Sequence, residues 1–135
     1  MTTPETDSDD MPIRHGCRLS RAIGFSVSGI RHAFTNEAAI RNEFISLSVL
    51  VPISALLPVT DIEHLVLVLS MMLVVLVEFI NSAIETTVNR ISIELHTMSK
   101  QAKDMASAAV LISVLMSGLC WTVIAGPVLL KWLRS

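Results

Sequence analysis

The chain has 135 residues, of which 52% are hydrophobic and 16% are charged, with a formal net charge of −2 and a mean hydropathy of +0.63. A small water-soluble domain has roughly a quarter of its residues charged and too little interior to bury this much apolar surface, so the composition excludes that class and indicates a membrane protein. Because the chain has no tyrosine and only 4% aromatic residues, a base-stacking surface is not expected, and no nucleic-acid partner is predicted.

The amino-terminal part of the chain is predicted to contain two elements. Residues 1–12 are acidic and aperiodic, which is typical of a disordered leader, and they lack the pattern of a signal peptide. Residues 13–135 are predicted to form one membrane domain that begins with an amphipathic helix over about 14–34. Its apolar and basic side chains separate into Leu19, Ile23, Val27 and Ile30 on one side and Arg18, Arg21 and Arg31 on the other. Such a helix is expected to lie on the bilayer surface.

Three membrane-spanning helices are predicted over about 38–59, 62–89 and 104–131, which makes the fold class an all-α membrane protein. The third span has no charged residue from Met105 to Leu130, and at about 1.5 Å per residue this run exceeds the roughly 30 Å hydrocarbon thickness. The second begins with a shorter apolar run and continues into polar residues without Pro or Gly. The first crosses the membrane only if residues 38–43 extend it as helix.

The distribution of basic residues predicts the orientation in the membrane. Five Lys and Arg residues, the last of them Arg41 at the start of the first span, precede its apolar run. Three lie between the second and third spans, and none lies between the first and second. The positive-inside rule therefore places the amino terminus and the second long loop in the cytoplasm. Lys131 and Arg134, which follow the third span, oppose this orientation weakly.

A polar stripe is predicted on the second span. Glu78, Asn81, Glu85 and Asn89 are spaced so that all four fall on one side of a 3.6-residue helix. Because a carboxylate in hydrocarbon costs about 2.5–3.5 kcal/mol, these groups need a partner, a cavity or a metal ion. The alternative is that the stripe emerges among cytoplasmic headgroups and only caps the helix.

Two further polar segments lie on the same predicted side of the membrane, where the first and third spans begin. Glu37 and Arg41 have the spacing of an ordinary intrahelical ion pair, and Asp104 has the position of an acidic residue in a first helical turn. Taken together, the segments supply carboxylates from two helices, a lysine for phosphate oxygens and a carboxylate at membrane depth for deprotonation. Magnesium suits such a site, since it binds through one or two carboxylates together with substrate phosphates.

Three segments resemble the signature sequences of the small bacterial integral-membrane diacylglycerol kinases. They are residues 36–43, 77–85 and 102–109, within a gap-free similarity from about Arg18 to Trp121. The resemblance implies a homotrimer of three-span subunits with an amphipathic surface helix. It also implies a multi-pass protein of the bacterial inner membrane with a cytoplasmic active site, where the primary hydroxyl of diacylglycerol receives a phosphoryl group directly from MgATP to give phosphatidic acid.

The resemblance also implies roles for individual residues. Glu78 resembles the general base, and Glu37 and Glu85 resemble the metal ligands. The expected contacts to the nucleotide and its metal come from Arg18, Glu37, Glu85, Glu94, His96, Lys103 and Asp104. Asn81 and Ser107 are expected to lie near the lipid substrate. For His96 taken alone, an ordinary surface histidine is the simpler interpretation.

The chain departs from the family pattern at two places, and two other functions are alternatives to this interpretation. Asn89 stands where the family commonly has Asp, and residues 27–28 are Val-Ser where Trp-Lys is typical. A related enzyme group phosphorylates undecaprenol, although residues 103–107 resemble the diacylglycerol branch more closely. A non-enzymatic subunit could instead use the stripe as a path for protons or cations.

Overall fold

The computed structural model describes residues 15–91 and 97–134, which are helical apart from short connections. The predicted leader, together with Glu94 and His96, lies outside the described residues. The helices in chain order are α1 (His15–Asn36), α2 (Ala38–Leu56), α3 (Asp61–Ile91) and α4 (Thr97–Leu133).

The all-helical class and the three apolar helices are confirmed. By length and composition, three helices of the described part of the chain could cross a membrane: Ala38–Leu56 with 19 residues, Asp61–Arg90 with 30 and Thr97–Leu133 with 37. The polar residues of the predicted stripe continue the second of these helices without a break, so they are part of the same rigid element as its apolar run.

The chain divides into two compact units, with the boundary between His32 and Ala33. The first unit consists of α1 up to His32. Its apolar side chains are exposed, among them Leu19, Ile23 and Val27. This helix therefore has an unburied apolar side of its own, as the amphipathic pattern predicts.

The connection between α2 and α3 is a tight turn with a capping box. Thr60 and Glu63 cap the first turn of α3, because the Thr60 backbone N–H donates to Glu63 Oε2 at 2.8 Å and the Glu63 N–H donates to Thr60 Oγ1 at 3.4 Å. Pro58 follows Leu57, the C-cap residue of α2, and disfavours a helical backbone at that residue. The turn reverses the chain, so that α2 and α3 run side by side in opposite directions.

Within the second unit, α3 packs against both α2 and α4. A small core at the α2–α3 turn contains Leu57, Leu67 and Ala125, against which Trp121 packs. Nearer the middle of the helices, the hydroxyls of Ser70 on α3 and Ser117 on α4 lie 3.3 Å apart.

The side of α4 that faces the other helices has small residues. They are Ala106, Ser113, Ser117 and Ala125. Small side chains let helices approach closely, which is the usual packing solution for helices in a membrane. Larger apolar side chains on α3 and α4, such as Leu69, Leu76 and Leu115, are instead exposed, as expected for surfaces that contact lipid or other helices.

Candidate active site

The polar stripe on α3 becomes less buried toward the carboxyl end of the helix. Glu78 is buried with only 7% of its surface exposed, Asn81 and Glu85 are half-buried, and Asn89 is exposed. The Asn81 amide Nδ2 donates to Glu85 Oε1 at 3.5 Å, whereas Asn81 Oδ1 is buried without a hydrogen-bond partner in the described structure. The stripe therefore carries a buried carboxylate at one end and polar groups open to solvent at the other.

Three further carboxylates lie within electrostatic range of Glu78. Glu43 interacts with it most strongly, followed by Glu85 and Glu37. Two of these acids belong to α2 or its amino-terminal cap and the others to α3, so the group contains carboxylates from two helices. Such a concentration of negative charge is costly in a protein interior and calls for a cationic ligand or for protonation of one member.

Glu43 is a residue of this cluster to which the sequence reasoning assigned no role. It lies half-buried on α2, inside the first span. The signal available in the sequence was its position, because an acidic residue within a predicted span is a candidate functional group in its own right.

The junction between α1 and α2 leaves the Glu37 carboxylate available. Glu37 occupies the N-cap position of α2 with φ −107° and ψ 113°, yet its side chain makes no capping hydrogen bond. Arg41 Nη1 instead donates to the backbone carbonyls of Phe34 at 3.2 Å and Thr35 at 3.1 Å, in the last turn of α1. A cation is favoured at the carboxyl end of a helix. The intrahelical Glu37–Arg41 pair suggested by the spacing is therefore not formed.

Aromatic rings pack against one another at the α1–α2 junction. The Phe44 ring on α2 meets the Phe34 ring edge to face at a centroid distance of 5.9 Å, and the Phe79 ring on α3 at 6.5 Å. Phe44 follows Glu43 and Phe79 follows Glu78 in the chain. These contacts hold the backbones that carry two of the carboxylates at a defined separation.

On α4, Lys103 contacts the end of the stripe. Its Nζ donates a 2.6 Å hydrogen bond to Asn89 Oδ1. Asp104 and Ser107 are exposed on α4, and in the part of the chain that the structure describes neither forms a hydrogen bond to the carboxylates. The structure thus joins Lys103, but not Asp104 or Ser107, to the polar side of α3.

Three of the predicted nucleotide contacts lie outside the second unit or outside the described residues. Arg18 is exposed on α1, in the first unit. Glu94 and His96 fall in the segment between α3 and α4 that lies outside the described residues.

An apolar cleft of about 400 Å³ opens beside Glu43. Its volume is within the range of small-molecule sites, roughly 300–1,000 Å³. Trp121 lies at the far end of the cleft from Glu43 along the helices, and its Nε1 is buried without a hydrogen-bond partner among the described residues. The residues that line the cleft are Glu43, Ser46, Leu50, Met71, Val74, Val114, Ser117, Gly118 and Trp121.

Glu37 and Glu85 are the acidic residues of this group that could hold a hard divalent cation together with a ligand. Among residues 15–91 and 97–134, no three acidic, His or Cys side chains converge closely enough to hold a metal ion alone. Glu37 and Glu85, however, offer carboxylate oxygens without a basic partner in those segments, and Asn81 Oδ1 is an unused buried acceptor beside Glu85. Magnesium accepts oxygen donors of this kind and completes its coordination with water and phosphate.

Comparison with known proteins gives a consistent result. The profile of the family described as "Prokaryotic diacylglycerol kinase" matches residues 24–125. Diacylglycerol kinase of Escherichia coli (strain K12) is 44% identical over 107 residues, which cover 79% of this chain and 88% of the relative. Diacylglycerol kinase of Haemophilus influenzae is 40% identical over 103 residues, covering 76% and 87%. Diacylglycerol kinase of Helicobacter pylori (strain 26695) is 38% identical over 113 residues, covering 84% and 85%.

Proposed function

Since the chain belongs to the prokaryotic diacylglycerol kinase family and is thus a lipid kinase, we propose that it phosphorylates the primary hydroxyl of diacylglycerol with MgATP. The products are phosphatidic acid and ADP. The observation that carries this proposal is the buried Glu78, which stands among three other carboxylates on a helix long and apolar enough to cross a membrane. A site at this depth is reached by a lipid headgroup from one side and by a soluble nucleotide from the other.

In the proposed reaction, Glu78 acts as the general base. Its carboxylate accepts the proton of the lipid hydroxyl while the hydroxyl oxygen attacks the γ-phosphorus of ATP in line with the bond to the β-phosphate oxygen. That bond breaks, and the electron pair leaves with ADP. Phosphoryl transfer demands mainly positioning and charge neutralisation from a protein, so a base held by a rigid helix is well suited to it.

Glu37 and Glu85 are the proposed ligands of Mg²⁺. When bound, the metal would neutralise charge on the phosphate oxygens of ATP. The support is that both carboxylates are near Glu78 and that Arg41 contacts backbone carbonyls instead of Glu37. Asn81 donates a hydrogen bond to Glu85 through its amide, and it is proposed to lie near the lipid substrate.

The nucleotide is proposed to bind at the exposed end of the stripe. Lys103 has a positively charged amino group there for the phosphates, and Asp104 lies in the next position of α4. Arg18, Glu94 and His96 are proposed to complete the nucleotide site on the basis of the sequence resemblance. Ser107, one turn further along α4, is proposed to lie near the lipid.

The apolar cleft is the proposed site for the hydrocarbon next to the reacting headgroup. It starts at Glu43, the carboxylate that interacts most strongly with Glu78, and continues between three helices toward Trp121. A lipid whose chain occupied this cleft would have its headgroup at the depth of the carboxylates.

The proposed setting is the inner membrane of a bacterium, with the active site on the cytoplasmic side. The distribution of Lys and Arg supports this orientation, and the exposed apolar side of α1 suits a helix on the bilayer surface. A homotrimer is proposed from the resemblance. The exposed apolar surfaces of α3 and α4 are compatible with it, since they offer area for contacts between subunits.

The lipid substrate can be tested with the purified protein in phospholipid vesicles. Initial rates of transfer from γ-³²P-labelled ATP would be compared for diacylglycerol and undecaprenol, with Mg²⁺ present and after chelation. We expect Mg²⁺-dependent formation of labelled phosphatidic acid at a rate well above that for undecaprenol. A faster reaction with undecaprenol would move the protein to the other substrate class. Absence of transfer to either lipid, with no protection from thermal unfolding by MgATP, would contradict the proposal and favour a proton or cation path.

A further inference from the structure

The hydrogen bond between Lys103 and Asn89 joins two helices at the exposed end of the polar stripe. Lys103 is in the second turn of α4, and Asn89 is in the last turn of α3. The Nζ–Oδ1 distance of 2.6 Å is short for a nitrogen–oxygen hydrogen bond, which is typical of a charged donor. The contact therefore selects one position for a side chain that has four rotatable bonds and would otherwise move freely.

The chemistry of the acceptor determines what remains of the lysine charge. An amide oxygen is a neutral acceptor, so it orients the ammonium group without cancelling its charge. Within the described segments, Lys103 has no carboxylate at ion-pair distance. Two of the three ammonium protons also stay available for another acceptor. The bond thus orients the Lys103 ammonium group and leaves two of its protons available before a ligand arrives.

We infer that Asn89 is a positioning residue for the nucleotide: it holds Lys103 in place for the triphosphate, and its neutral side chain leaves the full lysine charge for the phosphates. The inference rests on the proposed function, because it takes MgATP as the ligand at this end of α3. Preorganisation of this kind improves binding by reducing the ordering that the ligand must impose. A carboxylate at position 89 would order Lys103 equally well but would compete with the phosphates for it.

If the hydrogen bond between Lys103 and Asn89 has only a structural role, a different result is expected. In that case a carboxylate at position 89 would form an ion pair with Lys103, leave stability the same or higher, and leave nucleotide affinity unchanged. Under the inference, nucleotide affinity falls while stability stays the same or rises. Measuring both quantities on the same variant therefore separates the two interpretations.

The test compares N89D, N89A and the control Q101E in the full-length protein in vesicles. Gln101 is exposed on α4 two positions before Lys103, so its side chain points away from that of Lys103, and Q101E adds the same charge by the same atom replacement. For each protein, one measures kcat and KM for MgATP, the midpoint of thermal unfolding, and the Kd of a non-hydrolysable MgATP analogue. The Kd gives a result even for a variant that has lost turnover.

For N89D we expect KM and Kd to rise about threefold to tenfold, with kcat nearly unchanged and the thermal midpoint equal to or above that of the wild type. N89A should raise KM and Kd by about twofold to threefold, because it loses the ordering but not the charge. Unchanged Kd in N89D, or an equal rise in Q101E, would overturn the inference. If the wild-type protein binds the analogue but phosphorylates no lipid, the proposed function fails while the Kd values still decide the role of Asn89.

Discussion

Replacing Glu78 with glutamine removes the proposed base with almost no change in side-chain size. Because Glu78 is 7% exposed and lies near the carboxylates of Glu43, Glu85 and Glu37, the neutral amide removes electrostatic repulsion from a buried cluster. We therefore expect the variant to fold and to unfold at the same temperature as the wild type or higher. Loss of a general base reduces turnover by about 10²–10⁴, which corresponds to about 3–5 kcal/mol in the activation free energy.

A second carboxylate beside Glu78 is expected to limit the loss of turnover in E78Q. Glu43 is the carboxylate that acts most strongly on Glu78, and it lines the cleft beside it. A neighbouring carboxylate can accept the proton at a poorer geometry, so we expect E78Q to retain more activity than the double variant E43Q/E78Q. The difference between the two measures how far Glu43 can replace the base.

The assay is the initial rate of phosphatidic acid formation at saturating MgATP and diacylglycerol, accompanied by the Kd of the nucleotide analogue. E63Q is a matched control, since Glu63 is on the same helix at its opposite end, where the amide can still accept the Thr60 hydrogen bond. E63Q should keep wild-type turnover. Near-wild-type turnover in E78Q, or loss of folding together with activity, would show that Glu78 has a structural role and is not the general base.

Three other changes test the rest of the site. E37Q and E85Q should each raise the Mg²⁺ concentration for half-maximal activity by about tenfold or more, measured by metal titration at fixed ATP, and an unchanged requirement would exclude that residue as a ligand. R41Q should raise the same value by about twofold to fivefold, because it releases the α1–α2 junction that holds Glu37, and R41K should recover part of the loss. G118L should raise KM for diacylglycerol by about tenfold, because the leucine side chain fills the cleft. G126L lies outside the cleft and should leave this KM unchanged. A Cβ added at either glycine meets no atom within 4 Å, so both variants are expected to fold.

The membrane helices and the polar stripe could be predicted from the sequence because each depends on residues that are close in the chain. A charge-free run on α4 is long enough to cross a bilayer whatever its neighbours do. The spacing from Glu78 to Asn89 places these side chains on one side of α3 for any helical backbone. Helical periodicity was therefore sufficient for these predictions, and the packing of the helices did not change them.

The contacts of Glu37 and Arg41 could not be predicted from spacing. The i, i+4 relationship holds only if both residues are helical, whereas Glu37 has an extended backbone at the N-cap of α2. Its side chain therefore does not lie one turn below Arg41. The guanidinium group instead reaches backbone carbonyls six and seven positions earlier in the chain, at the end of the preceding helix.

Contacts between helices could not be predicted from the sequence either. Whether Lys103 meets Asn89 or Glu85 depends on how far α4 slides along α3, and a shift of one turn would exchange the partners. The same holds for Glu43, whose proximity to Glu78 follows from the packing of α2 on α3 and the ring contact between Phe44 and Phe79. Helical periodicity fixes the side on which a residue lies but not its height relative to a neighbouring helix.

The location of the nucleotide along α3 tests the account most directly. With Mn²⁺ in place of Mg²⁺ and a non-hydrolysable ATP analogue, pulsed electron paramagnetic resonance gives the distance from the metal to a nitroxide at Thr87 or at Ile62. These two exposed positions are separated by about 38 Å along the helix. A nucleotide bound beside the carboxylates gives a short distance to the label at Thr87 and one longer by about 20–30 Å to the label at Ile62. Equal distances, or a metal closer to Ile62, would show that the nucleotide binds away from the carboxylates and would contradict the account.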